Sequence, residues 1–205
     1  MSRITLRPHV AHNITYPWVY WDGFFSEEEL VKIETYCITK EVSTGTVVAV
    51  EGGGNTDLTV RNSNVAMFNA GPENQWLFER LIGLTELVNA NFFNFDLLGF
   101  DYFQYTEYDG KGTKYDRHMD MIMGDKVPAE MFTPRKLSFS LILSDESEFT
   151  GGEFEFDQGG KAIEKAEQKR GRVLAFPSYI IHGVKPVKKG KRRSIVWWCL
   201  GPKFK

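Results

Sequence analysis

The spacing of apolar residues along this chain changes character near residue 96. Ahead of that point it is helical. Ser26-Glu27-Glu28-Glu29 has the form of a capping box, with Ser26 at the N-cap and Glu29 at N3. Leu30, Ile33 and Cys37 then recur at helical intervals, which predicts an amphipathic helix over 27–39. A second helix is predicted from Pro72, which suits an N1 position, to Asn91, with Trp76, Leu77, Leu81, Leu84 and Val88 as its apolar stripe. An aromatic strand and turn is expected over 14–25. Val42 to Val60 reads as two strand-like ends around the flexible run Gly52-Gly53-Gly54-Asn55.

Beyond residue 96 the period becomes two. Phe100, Tyr102, Gln104 and Thr106 alternate with Asp101, Phe103, Tyr105 and Glu107. Leu137, Phe139, Leu141 and Leu143 alternate with Ser138, Ser140 and Ile142, and Phe154 and Phe156 alternate with Glu153 and Glu155. Val173 to Phe176 and Ser194 to Leu200 complete a set of short strands. Lys185 to Arg193, with six basic residues in nine, is expected as a solvated turn between strands. Helices first and strands afterwards predict an α+β chain, mainly β, built on a sandwich or barrel. The expected organisation is a single domain over 1–205, with a helical and strand support region over 1–95 and a β core over 96–205.

Composition narrows the function classes. A net charge of −2 gives no reason to expect nucleic acid as a partner. Neither an apolar h-region at the start nor a run of about 18 apolar residues is present, so no membrane partner is expected. Cys37 and Cys199 are the only cysteines and do not make a disulfide framework, which points to a reducing, cytoplasmic setting.

The candidate chemistry lies in the second half. His118 and Asp120 are two apart, so an extended strand would point an imidazole and a carboxylate to one face. His182 follows 62 residues after Asp120, behind Pro177, which ends strand pairing. The other two histidines, His9 and His12, sit in a polar segment read as structural. Two imidazoles and one carboxylate can occupy one face of a metal and leave the other open, the ligand set of non-heme Fe(II) oxygenases. Arg192 and Ser194 on a strand would share a face and clamp a carboxylate, which suggests an anionic co-substrate.

Four blocks carry a family resemblance. His182-Gly183-Val184 through Arg192-Arg193-Ser194, ending near Trp198, resembles the C-terminal motif of Fe(II)/2-oxoglutarate dioxygenases of the prolyl 4-hydroxylase superfamily, including bacterial PKHD-type hydroxylases. Tyr105 through Tyr108 and Tyr115 to His118-Met119-Asp120 is similar to that family's Tyr-rich strand and His-x-Asp ligands. Leu137 to Leu143 with Thr150-Gly151-Gly152-Glu153-Phe154, and Gly171 to Ser178, resemble the strands that follow. Together they span about residues 98–200. Ahead of them, Ser26-Glu27-Glu28 after Phe24-Phe25 resembles the family's opening helix, and Arg61-Asn62-Ser63 its Arg-x-Ser strand.

The resemblance implies a double-stranded β-helix, or jelly roll, with N-terminal helices packed on one sheet. It implies Fe(II) on His118, Asp120 and His182, and the distal carboxylate of 2-oxoglutarate on Arg192 with help from Ser194. Tyr108 would be a second co-substrate contact and Tyr115 a pocket residue near the metal. The reaction implied consumes O2 and 2-oxoglutarate, releases succinate and CO2 and hydroxylates an unactivated C–H, with ascorbate as an optional reductant. A prolyl residue in a protein or peptide leads as substrate. Collagen-type enzymes usually carry Lys where this chain has Arg192, so collagen-like preference is not implied. A free amino acid or other small molecule, a non-catalytic metal-binding jelly roll and a zinc hydrolase stand as alternatives, the last two leaving Arg192 without a role. Residues 44–58, with Gly52 to Gly54, and Met121 to Met131 are the candidate lids, and Met119, Met121 and Met123 candidate groove residues.

Overall fold

The computed structural model describes residues 16–48, 54–121, 133–160 and 162–203. His9, His12, Gly52, Gly53, Met123 and the rest of the second candidate lid up to Met131 lie outside them, as do the first two residues of the aromatic strand predicted over 14–25. Among the described residues the elements run β1 Val19–Trp21, α1 Glu27–Ile38, β2 Ser43–Thr44, β3 Val47–Val48, β4 Gly54–Asn55, β5 Arg61–Asn62, β6 Asn64–Phe68 and α2 Gln75–Val88. The β core follows with β7 Gly99–Asp109, β8 Lys114–His118, β9 Arg135–Ile142, β10 Phe149–Gly151, β11 Phe154–Asp157, β12 Glu164–Ala166, β13 Val173–Pro177, β14 Ile181–Val184 and β15 Val187–Leu200.

Two main antiparallel sheets face each other, and β3 pairs with β4 as a separate two-stranded sheet. The larger has the order β1-β13-β9-β15-β7-β6-β2, with β10 also paired to β15, and the smaller β12-β11-β14-β8-β5. This is the expected double-stranded β-helix, and the period-two pattern explains both of its faces. Phe103 and Tyr105, Leu137, Phe139 and Leu141, and Ile195 and Trp197 point outward, where Leu30, Ile33 and Cys37 of α1 and Leu77, Leu81, Leu84 and Val88 of α2 cover them. The intervening positions point between the sheets. There Tyr108, Leu174, Phe176 and Val187 meet Phe154, Phe156 and Val184 of the smaller sheet. Gln104, Thr106, Ser140, Arg192 and Ser194 occupy the same inner face and are buried. A row of polar side chains on a buried sheet face is the first structural sign of a binding site.

The first helix holds and several other local predictions are corrected: Gly54–Asn55, expected in a flexible run, form β4, and 58–60, expected strand-like, are a turn. The capping box of α1 forms, Ser26 Oγ accepting from Glu29 N–H and Glu29 accepting from Ser26 N–H. The second helix is shorter than 72–91: Asn74 is its N-cap rather than Pro72 preceding it, and a single π turn over Asn89–Phe93 ends on Asn94 at φ 52°. Buried Asn74 also accepts from Gly71 N–H and donates to Tyr36 Oη and Asn69 O, an alternative to the helix for the chain ahead of it. The basic run is no turn. From Val187 onward it lies in β15, held by pairing with β10 and β7, while Lys191 pairs with Glu107 and Arg193 with Glu34 and Glu148.

A bidentate pair ties the chain ahead of α1 to the β core. Arg172 Nε and Nη2 donate to the two Asp22 oxygens at 2.8 Å each. The hydrogen bonds from Arg172 hold the Asp22 carboxyl below its ordinary value despite some desolvation. A carboxyl depressed by folding stabilises fully above its unfolded pKa, about 3.9, and loses that contribution as pH falls through the folded value. Asp22→Asn is therefore expected to cost stability at neutral pH and to shrink the difference from wild type on acidification, measured by urea unfolding at several pH values between about 2 and 7.

Candidate metal centre and co-substrate pocket

His118 and His182 are brought together by strand register. β8 pairs with β14 so that His118 lies opposite His182, and their rings are 4.4 Å apart. Each ring is anchored at Nδ1 on a carbonyl two residues earlier: His118 to Asp116 O at 2.8 Å, His182 to Ile180 O at 2.9 Å. A carbonyl only accepts, so Nδ1 carries the proton and both Nε2 lone pairs are free. Tyr115 stacks on His118 at 3.6 Å, while Phe154 stacks on His182 at 5.5 Å. These contacts fix the ring planes.

Asp120 reaches the same point by another route. The strand expected to carry it stops at His118, and Asp120 stands in the bend beyond. Its N–H and that of Met121 both donate to Ser178 O, in the turn leading to His182. That turn, not strand alternation, aims the carboxylate. Its oxygens lie 3.5 Å from each of the two Nε2 atoms. The three donor atoms lie within 4.8 Å of one another.

The electrostatics of this trio favour a cation at its centre. Burial, offset only partly by Asp120, pushes His182 down to about 4, so its ring is neutral at pH 7. Burial opposes ionisation of Asp120, and positive charge beside it, at His182 first, is what brings the carboxyl below its usual range; with His182 neutral, a bound cation would have to supply that charge. Asp120 is only 7% exposed, and its Oδ2 has no hydrogen-bond partner. Two lone pairs and a buried carboxylate converging on one point repel one another and leave an acceptor unsatisfied. A divalent ion with N/O ligands would remove both costs.

The trio opens onto a cavity of about 350 Å³ between the sheets. Arg192 lines it and is 1% exposed. Its Nε donates to Gln168 Oε1 at 2.9 Å, its Nη1 lies 3.4 Å from Ser194 Oγ, and its Nη2 has no partner. Burial lowers its pKa, Tyr108 opposing the shift weakly from 5.7 Å. A buried guanidinium facing a cavity with a free donor calls for an anion. Tyr108 and Tyr115 both line the same cavity, and burial raises both phenols, Tyr115 to about 12, so each keeps its proton to donate. Every site residue expected from sequence thus reaches one cavity. Met119 does not line it.

The Gly-Gly-Glu turn has a steric reason. Gly152 has φ +68°, and a Cβ there would lie 2.8 Å from Val187 Cγ2 and 3.1 Å from Arg192 Cδ. Gly152→Ala is expected to cost about 1–3 kcal/mol from the positive φ and the overpacking, read as a lower urea midpoint.

Other cavity residues were not assigned a role by sequence. Arg61, matched only as part of a strand, faces the cavity over Tyr115 at 4.6 Å, held by Ser63 Oγ and Thr46 O. Arg135, paired with Asp101 at 2.6 Å, covers Trp198 at 4.0 Å, and half-exposed Met67 stands at the mouth. Gln104 and Thr106 were legible as polar positions in an otherwise apolar alternation. Gln168 carried no signal at all.

Comparison with known proteins decides the ancestry of this site. Residues 103–200 match the model of the 2OG-Fe(II) oxygenase superfamily. This stretch belongs to that superfamily. It contains most of β7 and all of β8 through β15, and with them the three candidate metal ligands and Arg192. A PKHD-type hydroxylase of Synechococcus sp. is 36% identical over 89 residues, covering 42% of this chain and 36% of that protein. The match therefore spans little more than a third of such curated relatives. A Pseudomonas putida prolyl-4-hydroxylase superposes with TM-score 0.70 at 19% identity, covering 92% of this chain and 95% of that one. A Trichoplax adhaerens prolyl hydroxylase, solved with a hypoxia inducible factor peptide, gives TM-score 0.70 at 18% identity over 90% of this chain and 83% of that one. At such identities the superpositions establish the superfamily's fold. No helix among the described residues is long and apolar enough to cross a membrane.

Proposed function

We propose that this protein is an Fe(II)- and 2-oxoglutarate-dependent dioxygenase that hydroxylates an unactivated C–H bond, in a prolyl residue of a protein or peptide, with release of succinate and CO2. One observation carries the reading. A single cavity has two unsatisfied poles, a carboxylate oxygen beside two free imidazole lone pairs and an unpartnered guanidinium nitrogen on Arg192. A divalent metal satisfies the first, and a carboxylate satisfies the second. A non-catalytic metal module or a zinc hydrolase has no use for the second pole.

His118, Asp120 and His182 would hold the iron, which with O2 and 2-oxoglutarate supplies the oxidising chemistry when bound. The remaining work falls to this chain. Asp116 O and Ile180 O orient the two imidazoles. Arg192 and Ser194 take the distal carboxylate of the co-substrate, and its charge offsets the cost of burying Arg192. Protonated Tyr108 donates a hydrogen bond to the co-substrate, while Tyr115 braces His118. Phe154, Phe176 and Val184 wall the cavity against water.

The prolyl reading is supported by the PKHD-type relatives and by prolyl hydroxylase neighbours, one with a bound peptide. The test supplies Fe(II), 2-oxoglutarate and ascorbate with proline-rich peptides or free amino acids, and records succinate and added oxygen. Succinate coupled to one added oxygen on a prolyl residue is the expected result. Oxygen added only to a free amino acid would replace the substrate class, and no succinate with any of them would sink the proposal.

A further inference from the structure

Arg192 is held by a side chain outside every recognisable motif. Gln168 follows β12, whose last residue is Ala166, and is half-buried. Its Nε2 donates to Ala166 O at 3.2 Å, which settles which end of the amide points where: Oε1 turns to Arg192 Nε at 2.9 Å. Ser194 Oγ lies farther from the guanidinium, at 3.4 Å, and Nη2 has no partner. Among the described residues no carboxylate forms an ion pair with Arg192. The closest restraint on a fully buried cation is therefore a neutral carbonyl oxygen.

That choice of atom has a consequence. The guanidinium is a planar fork, so fixing Nε fixes the directions of both Nη groups. An amide oxygen does this without cancelling charge. A carboxylate in the same place would form a charge-assisted pair with Arg192 and remove its need for an anion in the cavity. The neighbouring cations Lys191 and Arg193 do have carboxylate partners, Glu107 and Glu34, so the fold supplies acids freely on this strand and withholds one here.

We propose that Gln168 is a positioning residue that orients Arg192 while leaving its charge free for the co-substrate carboxylate, so that glutamate at 168 would silence the pocket. The proposal rests on the assignment of Arg192 to the co-substrate, and the experiment separates the two. The full chain is loaded with Mn(II), and 2-oxoglutarate is titrated calorimetrically into wild type, Gln168→Glu, Gln168→Met and Arg192→Met. Mn(II) affinity and melting temperature are recorded for the same samples. Gln168→Glu is expected to weaken 2-oxoglutarate binding by about thirtyfold or more, and Gln168→Met, which loses orientation only, by about three- to tenfold. Mn(II) affinity should stay within about twofold throughout, since no metal ligand is touched.

Wild-type affinity in both Gln168 variants with a loss in Arg192→Met would overturn the role of Gln168 and leave that of Arg192 standing. Unchanged affinity in Arg192→Met would overturn the co-substrate assignment and the inference with it. Equal losses in the two Gln168 variants would reduce the residue to packing and defeat the charge argument. A fall in Mn(II) affinity or a collapse of melting temperature in both would assign Gln168 to the fold instead.

Discussion

Asp120→Asn is expected to lower Mn(II) or Fe(II) affinity by more than about a hundredfold, beyond the 10–100-fold typical of groups that merely support a ligand. The reason is charge and position together. His182, neutral at pH 7, contributes a lone pair but no charge. Asp120 supplies the one formal negative charge, and its Oδ2 is buried with no other partner. The same substitution should not harm the metal-free fold. It removes a buried carboxylate held by no cation, so the apo variant should melt at or slightly above wild type. Thermal scans with and without Mn(II) read both effects. Wild type should gain about 2.7 kcal/mol at a metal concentration a hundred times its Kd, a rise of several degrees, and the variant nothing. An apo variant that melts far below wild type would mean that Asp120 holds the Ser178 turn rather than an ion.

Arg192→Met should abolish the stabilisation that 2-oxoglutarate gives the Mn(II)-loaded protein while leaving metal binding intact. Losing one partner of a buried charge-assisted pair costs about 2–5 kcal/mol, a drop in co-substrate affinity of about thirtyfold or more. Without co-substrate the sign reverses. Arg192 is almost fully buried with an unpartnered Nη2, so methionine, which fills much of the same volume, should raise apo stability by about 1–3 kcal/mol. A variant that is more stable alone and no longer responds to 2-oxoglutarate is the signature of a cation kept for a ligand. A less stable apo variant would assign Arg192 to the core.

Much of this arrangement was legible in the chain. The capping box of α1 acts between neighbours in sequence, so its residues alone sufficed. Alternation in β7 and β9 identified the two faces of the larger sheet because side chains on a strand must alternate. The donor types at 118, 120 and 182 identified the chemistry, since few residue sets suit an open metal face. Other expectations went wrong where tertiary partners outvoted local pattern. Lys185 to Arg193 looked like a solvated turn, but pairing with β10 and β7 carries β15 through it from Val187, with Lys191 and Arg193 matched by Glu107, Glu34 and Glu148, all distant in sequence. The end of the second helix gave way to a π turn, and Asn74 took the cap.

What the sequence determined by itself was local: period, caps, turn residues and the identity of groups able to bind a metal and a carboxylate. Only the tertiary structure decided which groups are left unsatisfied. Asp120 is aimed by Ser178, Arg192 is steered by Gln168, and Arg61 enters the cavity wall through the pairing of β5 with β8. None of these contacts has a sequence period, because each joins elements whose approach is set by closure of the two sheets. The missing partners of Asp120 Oδ2 and Arg192 Nη2 exist only as a property of that closed shape, in which burial removes water and the fold supplies no substitute.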